Sequence, residues 1–220
     1  PSGLTENRVI KAIEVIPGNA AIVHHALIYV DSVPANSPTD SVGSHCITPS
    51  SSTASLACGF APGAVPTIFP SQSPLKMGVN MGANSQIIFA MHYPEGSFGQ
   101  MDSTKVIFHF YPLGETGVRD VLAVPILQNW SLNLPPEQVT SASASYTIDN
   151  FYPDLSFISV FPHMHLIGES MKVYGLDPNQ DTVRMIDVPH WDFEWQDFYY
   201  FKNMKHIEAG TTLKADAVYD

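Results

Sequence analysis

Five of the nine histidines lie in three short apolar segments, and imidazole is the side chain that most often binds transition metals in proteins. His24 and His25 lie in IVHHALIYV, His92 in IIFAMHYPEG, and His163 and His165 in FPHMHLIGESMKVY. Histidine is costly in a hydrophobic strand unless it has a partner there. Three of these residues fall in one half of the chain and two in the other, which indicates two metal centres.

Spacing decides whether neighbouring rings can share one ion. His163 and His165 are two residues apart, so in an extended strand both rings project from one face. His24 and His25 would project to opposite faces unless a bulge or strand end redirects one ring, or one binds through Nδ1 and the other through Nε2. The alternative to metal binding is that one of the His24 and His25 rings faces the core and the other is exposed. For His163 and His165, it is that both lie on a solvent-exposed strand face. His92 ends an apolar run before a Pro-Glu-Gly turn, which predicts the end of a buried strand.

The other four histidines are weaker candidates for metal binding, because their neighbours are loop, surface or ordinary strand residues. They are His45, His109, His190 and His206. The aromatic run from Trp191 to Phe201 is interpreted as packing rather than as a substrate site.

Composition indicates a folded protein and argues against two kinds of partner. Hydrophobic residues make up 45% of the 220 residues and charged residues only 14%, which is typical of a globular chain. The net charge is −11 and no segment concentrates Lys and Arg, so we expect no nucleic acid partner. No apolar run reaches the roughly 18 residues of a membrane-spanning helix, so we expect no transmembrane segment. No signal peptide is visible, although an opening at Pro1 without Met is compatible with its removal.

The two cysteines, Cys46 and Cys58, flank a loop rich in Ser, Thr and Pro, ITPSSSTASLA. Two unrelated thiols are one interpretation. A disulfide is favoured, because a covalent link across a flexible loop of this length contributes about 3 kcal/mol. Disulfides persist in oxidising compartments, so we expect a periplasmic or secreted protein. The spacing differs from CxxC, which argues against a zinc–thiolate site.

Runs with period-2 alternation or β-branched residues recur along the chain, and no segment carries a sustained helical stripe. Turn residues separate the runs, which predicts an all-β protein of sandwich or jelly-roll architecture. The predicted strands lie in RVIKAIEVI, AIVHHALIYV, SQIIFAMHY, TKVIFHFYP, DVLAVPIL, TSASASYTI, LSFISVFPHMH, SMKVYGL, DTVRMIDV and TTLKADAVY.

A domain boundary is expected between Tyr111 and Ser141, where PLGETGVRD weakens the strand pattern and NLPPE is typical of a connector. We place two tandem sandwiches at residues 1–125 and 126–220, so that the first holds three of the five histidines and the second holds two. Residues 31–81 are interpreted as a long irregular excursion rich in Ser, Pro and Gly. Loops of that length are usually functional covers or docking surfaces.

The histidine segments resemble the copper type II, ascorbate-dependent monooxygenases, the family of peptidylglycine α-hydroxylating monooxygenase and dopamine β-monooxygenase. IVHHALIYV, FAMHYPEG and PHMHLIGESMKVYG carry the resemblance, and GFAPGAVP, WDFEWQ and KADAVYD are similar to the bacterial relatives. The likeness extends from Val9 to Asp220, and its specific feature is the order HH, HY, HxHxxG.

The resemblance implies two copper ions on facing jelly-roll domains. His24, His25 and His92 would bind the copper that stores and delivers electrons. His163 and His165 would bind the copper at which O2 reacts and a C–H bond is hydroxylated. Ascorbate would be the reductant, with one oxygen atom entering a small-molecule or peptide substrate and the other leaving as water. Imidazole suits copper in both oxidation states.

Two features depart from the family pattern. The family's second copper also binds a methionine sulfur C-terminal to the HxH pair, whereas this sequence ends at AVYD and neither Met171 nor Met204 takes that place. We therefore expect a fragment whose second sandwich lacks its C-terminal strands. The peptide-amidating enzyme holds a substrate carboxylate with an arginine two residues before its HxH. Phe161 stands there instead, which predicts a more apolar or uncharged substrate.

Three hypotheses follow. The favoured one is a copper-dependent monooxygenase that hydroxylates a small molecule or peptide. The second is a non-catalytic copper-binding or adhesive sandwich, which the missing methionine and the acidic composition favour. The third is a related sandwich without metal, such as a glycan-processing domain.

Overall fold

The computed structural model describes residues 1–32, 53–193 and 195–220, and within these ranges the chain is all β, as predicted. Fifteen strands and no helix occur there, so no helix in this part of the chain could cross a membrane. The strands are β1 (Arg8–Ile16), β2 (His25–Asp31), β3 (Ala54–Phe60), β4 (Thr67–Ile68), β5 (Ser71–Gln72), β6 (Leu75–Met81), β7 (Gln86–His92), β8 (Lys105–Phe110), β9 (Val118–Asp120), β10 (Thr140–Thr147), β11 (Leu155–Val160), β12 (Gly168–Leu176), β13 (Thr182–Val188), β14 (Tyr199–Ile207) and β15 (Thr212–Tyr219).

The chain divides into two compact units, Pro1–Val124 and Pro125–Asp220. We refer to them as unit 1 and unit 2. The division falls one residue before the boundary that the sequence predicts. Each unit contains two main sheets, and the jelly-roll strand order stays a prediction.

In unit 1, β1 is the hub of a six-stranded sheet, because it pairs with β4, β6 and β8. Its pairing with β8 shifts register between Ile10 and Ala12. Such a bulge adds one residue, and it allows Ile10 and Ile13 to be buried although they are three residues apart. The second sheet of unit 1 has the order β3-β2-β7.

The β3-β2-β7 sheet carries the first histidine segments at one end. β2 pairs antiparallel with β7 in a continuous register that runs from His25 opposite His92 to Asp31 opposite Gln86. Ala26 and Ile28 alternate with His25 along β2 and are fully buried. Their burial fixes the face to which β2 turns its apolar side chains, so a one-residue slip would expose them.

Unit 2 consists of a four-stranded sheet, β10-β15-β12-β13, and a two-stranded sheet, β11-β14. The two sheets share a core around Ile148, Ile207 and Leu213, against which Phe157 of β11 and Met185 of β13 pack. β10 has the sequence TSASASYT and pairs with β15 from Thr140–Tyr219 to Thr147–Thr212. Small and β-branched residues suffice there because pairing, rather than side-chain burial, holds this edge strand.

Two sequence predictions about strands are wrong, and two strands, β3 and β14, were not predicted. The run DVLAVPIL forms no strand beyond β9, which ends at Asp120; Pro125 lacks the N–H that a ladder needs. The region 31–81 is not one irregular excursion, because β3 to β6 lie in it, although residues 33–52 are outside the described ranges. β3 was missed because ASLACGF is rich in small residues, and its partner β2 supplies the pairing. β14 was not predicted because Lys202, Asn203 and Lys205 interrupt the apolar alternation between Phe201 and Ile207.

Candidate metal centres

Two kinds of backbone support bring the first three histidines together. His25 and His92 begin β2 and end β7, and the ladder places them directly opposite each other. His24 lies just before β2, and its N–H donates to the carbonyl of His92 at 3.0 Å. The strand end therefore turns the His24 ring to the same side as the other two, which is one of the two arrangements that the sequence left open.

The Nδ1 atoms of His24, His25 and His92 form a nearly equilateral triangle. The His24–His25 distance is 3.1 Å, and His92 lies 3.2 Å from each of the others. A point about 2.0–2.1 Å from all three nitrogens, the usual metal–imidazole distance, exists about 0.9 Å to one side of their plane. We call these residues the trio; all three are half-buried, and together they can hold a metal ion.

The nitrogen chemistry of the trio also fits a cation. Each Nδ1 carries either a proton or a lone pair, and one proton can point at one neighbour only. Three Nδ1 atoms in mutual contact therefore cannot all satisfy each other through hydrogen bonds. A cation among them would accept all three lone pairs at once, which is the usual role of imidazole in metal sites.

The protonation of His92 is biased towards the form that binds metals. Burial lowers the pKa of His92, and the neighbouring charge of His24 lowers it further. The neutral ring is thus retained at a lower pH than in an exposed histidine. Metal binding requires this neutral form, so the environment favours coordination.

The second pair also shares one face, as predicted, but it lies outside a strand. Residues 161–167 connect β11 to β12, and within them Pro162 and Met164 are buried whereas His163 and His165 are exposed. The two imidazole rings have centroids 5.2 Å apart and are nearly perpendicular, at 86°. We call these residues the pair. It offers two imidazoles on an accessible surface.

Gln196 contacts one ring of the pair and was not among the residues predicted from the sequence. Gln196 is 3% exposed, and its Nε2 donates to the carbonyl of Phe193 at 2.8 Å. Its side chain also forms a hydrogen bond with His163. This contact acts to raise the pKa of His163, which is the effect expected when the amide oxygen accepts an N–H of the ring. The available signal was a lone amide in the aromatic run WDFEWQDFYYF.

The pKa of His163 is lowered. Desolvation has the largest effect, the hydrogen bond with Gln196 opposes it, and the charge of His165 adds to it. The opposing effect of Gln196 is expected when the ring donates, because a charged ring is the better donor. The neutral ring keeps its second nitrogen for a ligand.

The surroundings of the pair are aromatic. Phe161 follows β11 and lies against Phe198, which precedes β14, with ring centroids 5.0 Å apart. Phe198 is in turn 6.3 Å from Tyr200. Phe161 therefore belongs to a row of rings, and Met164, between the two histidines, packs with Tyr219 and Met171 on the opposite side.

The remaining sequence candidates lie elsewhere. His109 in β8 and His190 are exposed, and His206 contacts Asp154 at 3.0 Å. His45 and Cys46 lie outside the described residues. Cys58 is buried in β3. Because Cys46 is not described, the Cys46–Cys58 disulfide stays a prediction.

The sequence matches no protein-family model, and a search of curated proteins finds no significant match.

Proposed function

We propose that this protein is a copper-dependent monooxygenase that hydroxylates a C–H bond of a small molecule or peptide, with ascorbate as reductant. The observation that carries the proposal is the Nδ1 triangle of His24, His25 and His92, with sides of 3.1–3.2 Å. In this proposal the trio holds one copper and the pair, His163 and His165, holds another. Copper would supply the one-electron chemistry that activates O2.

The residues of the chain have separate tasks in this proposal. The trio would hold its ion through three imidazole nitrogens. The pair is exposed, so O2 and substrate can reach it, and Gln196 orients His163 through a hydrogen bond. Phe161, which packs against Phe198, offers an apolar contact for substrate rather than a cation for a carboxylate.

Metal analysis and oxygen consumption test the proposal together. The chain should bind two copper ions and consume O2 with ascorbate after unbound copper has been removed. His163→Ala should lower this rate by at least 10-fold without changing the circular dichroism spectrum, because it removes an exposed ligand and no core volume. His190→Ala, an exposed histidine of the same unit, is the matched control and should retain the rate.

A second candidate is a copper-binding protein without oxygenase chemistry. The pair favours this candidate, because it offers two imidazoles on an exposed surface whereas the trio offers three. Copper bound at the trio with no ascorbate-driven O2 consumption would select it. A chain that binds no copper would contradict both candidates.

We further propose a periplasmic or secreted location, which is supported by the predicted Cys46–Cys58 link. Peptide mass mapping without reduction should recover the two cysteines in one cross-linked fragment.

A further inference from the structure

One carboxylate joins the two loops that flank the trio. Asp102 lies in the loop that follows β7. Its Oδ1 accepts a hydrogen bond from the N–H of Asn19 at 2.9 Å, and its Oδ2 accepts one from the Tyr93 hydroxyl at 3.0 Å. Thr104 donates to the same carboxylate through both its N–H and its hydroxyl. Asn19 belongs to the turn before His24, and Tyr93 follows His92. Asp102 therefore links the segment before one ligand with the segment after another.

The two loops are also in backbone contact at this point. The Asn19 side chain donates to the carbonyl of Met101 at 3.3 Å, and the Gly18 N–H donates to the Thr104 hydroxyl at 3.3 Å. A Cβ at Gly18 would lie 2.4 Å from the nitrogen of Ser103. Glycine is needed there because the loops approach too closely for a side chain.

The contact continues from Asn19 to His24 through a short turn. The carbonyl of Asn19 accepts the N–H groups of Ile22 at 3.1 Å and Val23 at 3.2 Å. Both side chains are buried, so the segment immediately before His24 is anchored. His25 and His92 are held by the strand ladder instead. Of the trio, His24 depends most on support from outside the sheet.

Asp102 carries the charge that this role requires. Partial burial raises the pKa of Asp102, but hydrogen bonds from Thr104, Tyr93 and Asn19 outweigh that effect and lower it. A carboxylate is the side chain best able to accept several hydrogen bonds at once.

We propose that Asp102 is a positioning residue for His24, which holds the turn at Asn19 against the loop after β7 so that the third imidazole reaches the metal. This inference rests on the proposed copper site. Without Asp102 the turn loses its anchor, and the trio becomes a two-imidazole site formed by His25 and His92.

The test uses the full chain with His163→Ala and His165→Ala, so that the measured Cu(II) binding comes from the trio. Cu(II) alone is the probe. Asp102→Ala should weaken Cu(II) binding by about 10- to 100-fold, the usual range for a residue that orients a ligand. The electron paramagnetic resonance spectrum should lose one nitrogen coupling. In a His24→Ala background the same substitution should have little further effect, because the ligand that it positions is already absent.

Two variants serve as controls. Asp120→Ala removes an exposed carboxylate that contacts Asn80 on the other sheet of unit 1, and it should leave Cu(II) affinity unchanged. Asp102→Asn keeps the side-chain shape but replaces one acceptor with a donor. The Cu(II) affinity of this variant should lie between those of Asp102→Ala and the parent. If Asp102→Ala does not fold, Asp102→Asn serves as the test variant.

The outcomes separate the two proposals. A parent that binds no Cu(II) contradicts the copper site and, with it, the role of Asp102. A parent that binds Cu(II) while both Asp102 variants bind equally well contradicts only the positioning role. An equal loss of Cu(II) affinity on Asp102→Ala substitution with and without His24 also contradicts the positioning role, because Asp102 would then act on the sheet as a whole.

Discussion

His24, His25 and His92 differ in what holds each ring in place. The ladder between β2 and β7 determines the positions of His25 and His92, while His24 is placed by a turn and by one backbone hydrogen bond to His92. A ligand held by a turn is easier to displace than one held by a ladder. The cost of losing single supporting contacts should therefore be largest at His24.

The position of one ring of the pair, His163, also depends on a single supporting contact, which here is a side chain. Gln196 is buried, bonded to Phe193 at one end and to His163 at the other. A ring N–H donated to Gln196 determines which nitrogen of His163 remains for a metal. Gln196 is thus the residue whose loss should affect the pair without removing a ligand.

Gln196→Met should weaken Cu(II) binding at the pair by about 10- to 100-fold, because it keeps the volume but removes the hydrogen bond that orients His163. The measurement is a competition titration of the full chain carrying His92→Ala. Gln196→Glu retains an acceptor for the ring and should restore much of the affinity. Gln138→Met, at an exposed position, should change nothing. Equal affinity in the Gln196→Met variant would contradict the orienting role.

At the scale of strands, a carboxylate closes the end of the β11-β14 sheet. Asp154 precedes β11 and accepts hydrogen bonds from His206 at 3.0 Å and from the N–H of Ala209 at 3.1 Å. His206 lies in β14 and Ala209 in the turn that follows it. The sheet has two strands, so these hydrogen bonds at its end add to the ladder that pairs them.

Asp154→Asn should lower the thermal midpoint near pH 6, with a difference that disappears in acid. The hydrogen bonds from Ala209 and His206 lower the pKa of Asp154. Their stabilisation is therefore present above the ordinary aspartate pKa of about 3.9 and is lost as the pH falls through the lower, folded-state value. Thermal melts of both chains from pH 2 to 7 measure it. Asp187→Asn, which removes a 3.8 Å surface ion pair with Lys172, should have almost no effect. A pH-independent difference would contradict the ionic role of Asp154.

The same strands show what the sequence could and could not predict. Alternating runs such as RVIKAIEVI and TTLKADAVY coincide with β1 and β15, because one-sided burial leaves a period-2 pattern. β3 carries no such pattern, and it is recognisable only from its pairing with β2. Sequence spacing likewise indicates which histidines are candidates. It does not contain the register that sets His25 opposite His92 across 67 residues, nor the contacts of Gln196 and Asp102.

At the scale of the whole molecule, each unit has its own sheets and its own histidine cluster. The trio lies on the β3-β2-β7 sheet of unit 1, and the pair lies between β11 and β12 of unit 2. In unit 2 the core around Ile148, Ile207 and Leu213 is built entirely from residues of that unit. Each histidine cluster is therefore carried by strands and loops of its own unit.

Copper should accordingly stabilise each unit separately. A ligand at 100 times its dissociation constant stabilises the state that binds it by about 2.7 kcal/mol, so amide exchange should slow in the unit that holds the ion. His92→Ala should abolish the copper-induced protection of β2 and β7 while β12 stays protected, and His163→Ala should have the reverse effect. Hydrogen exchange with mass spectrometry on the full chain measures both, and His109→Ala serves as the control because it removes an exposed imidazole of unit 1. If His92→Ala removed the protection of β12 as well, the two units would respond to metal as one, and the independence of the sites would be wrong.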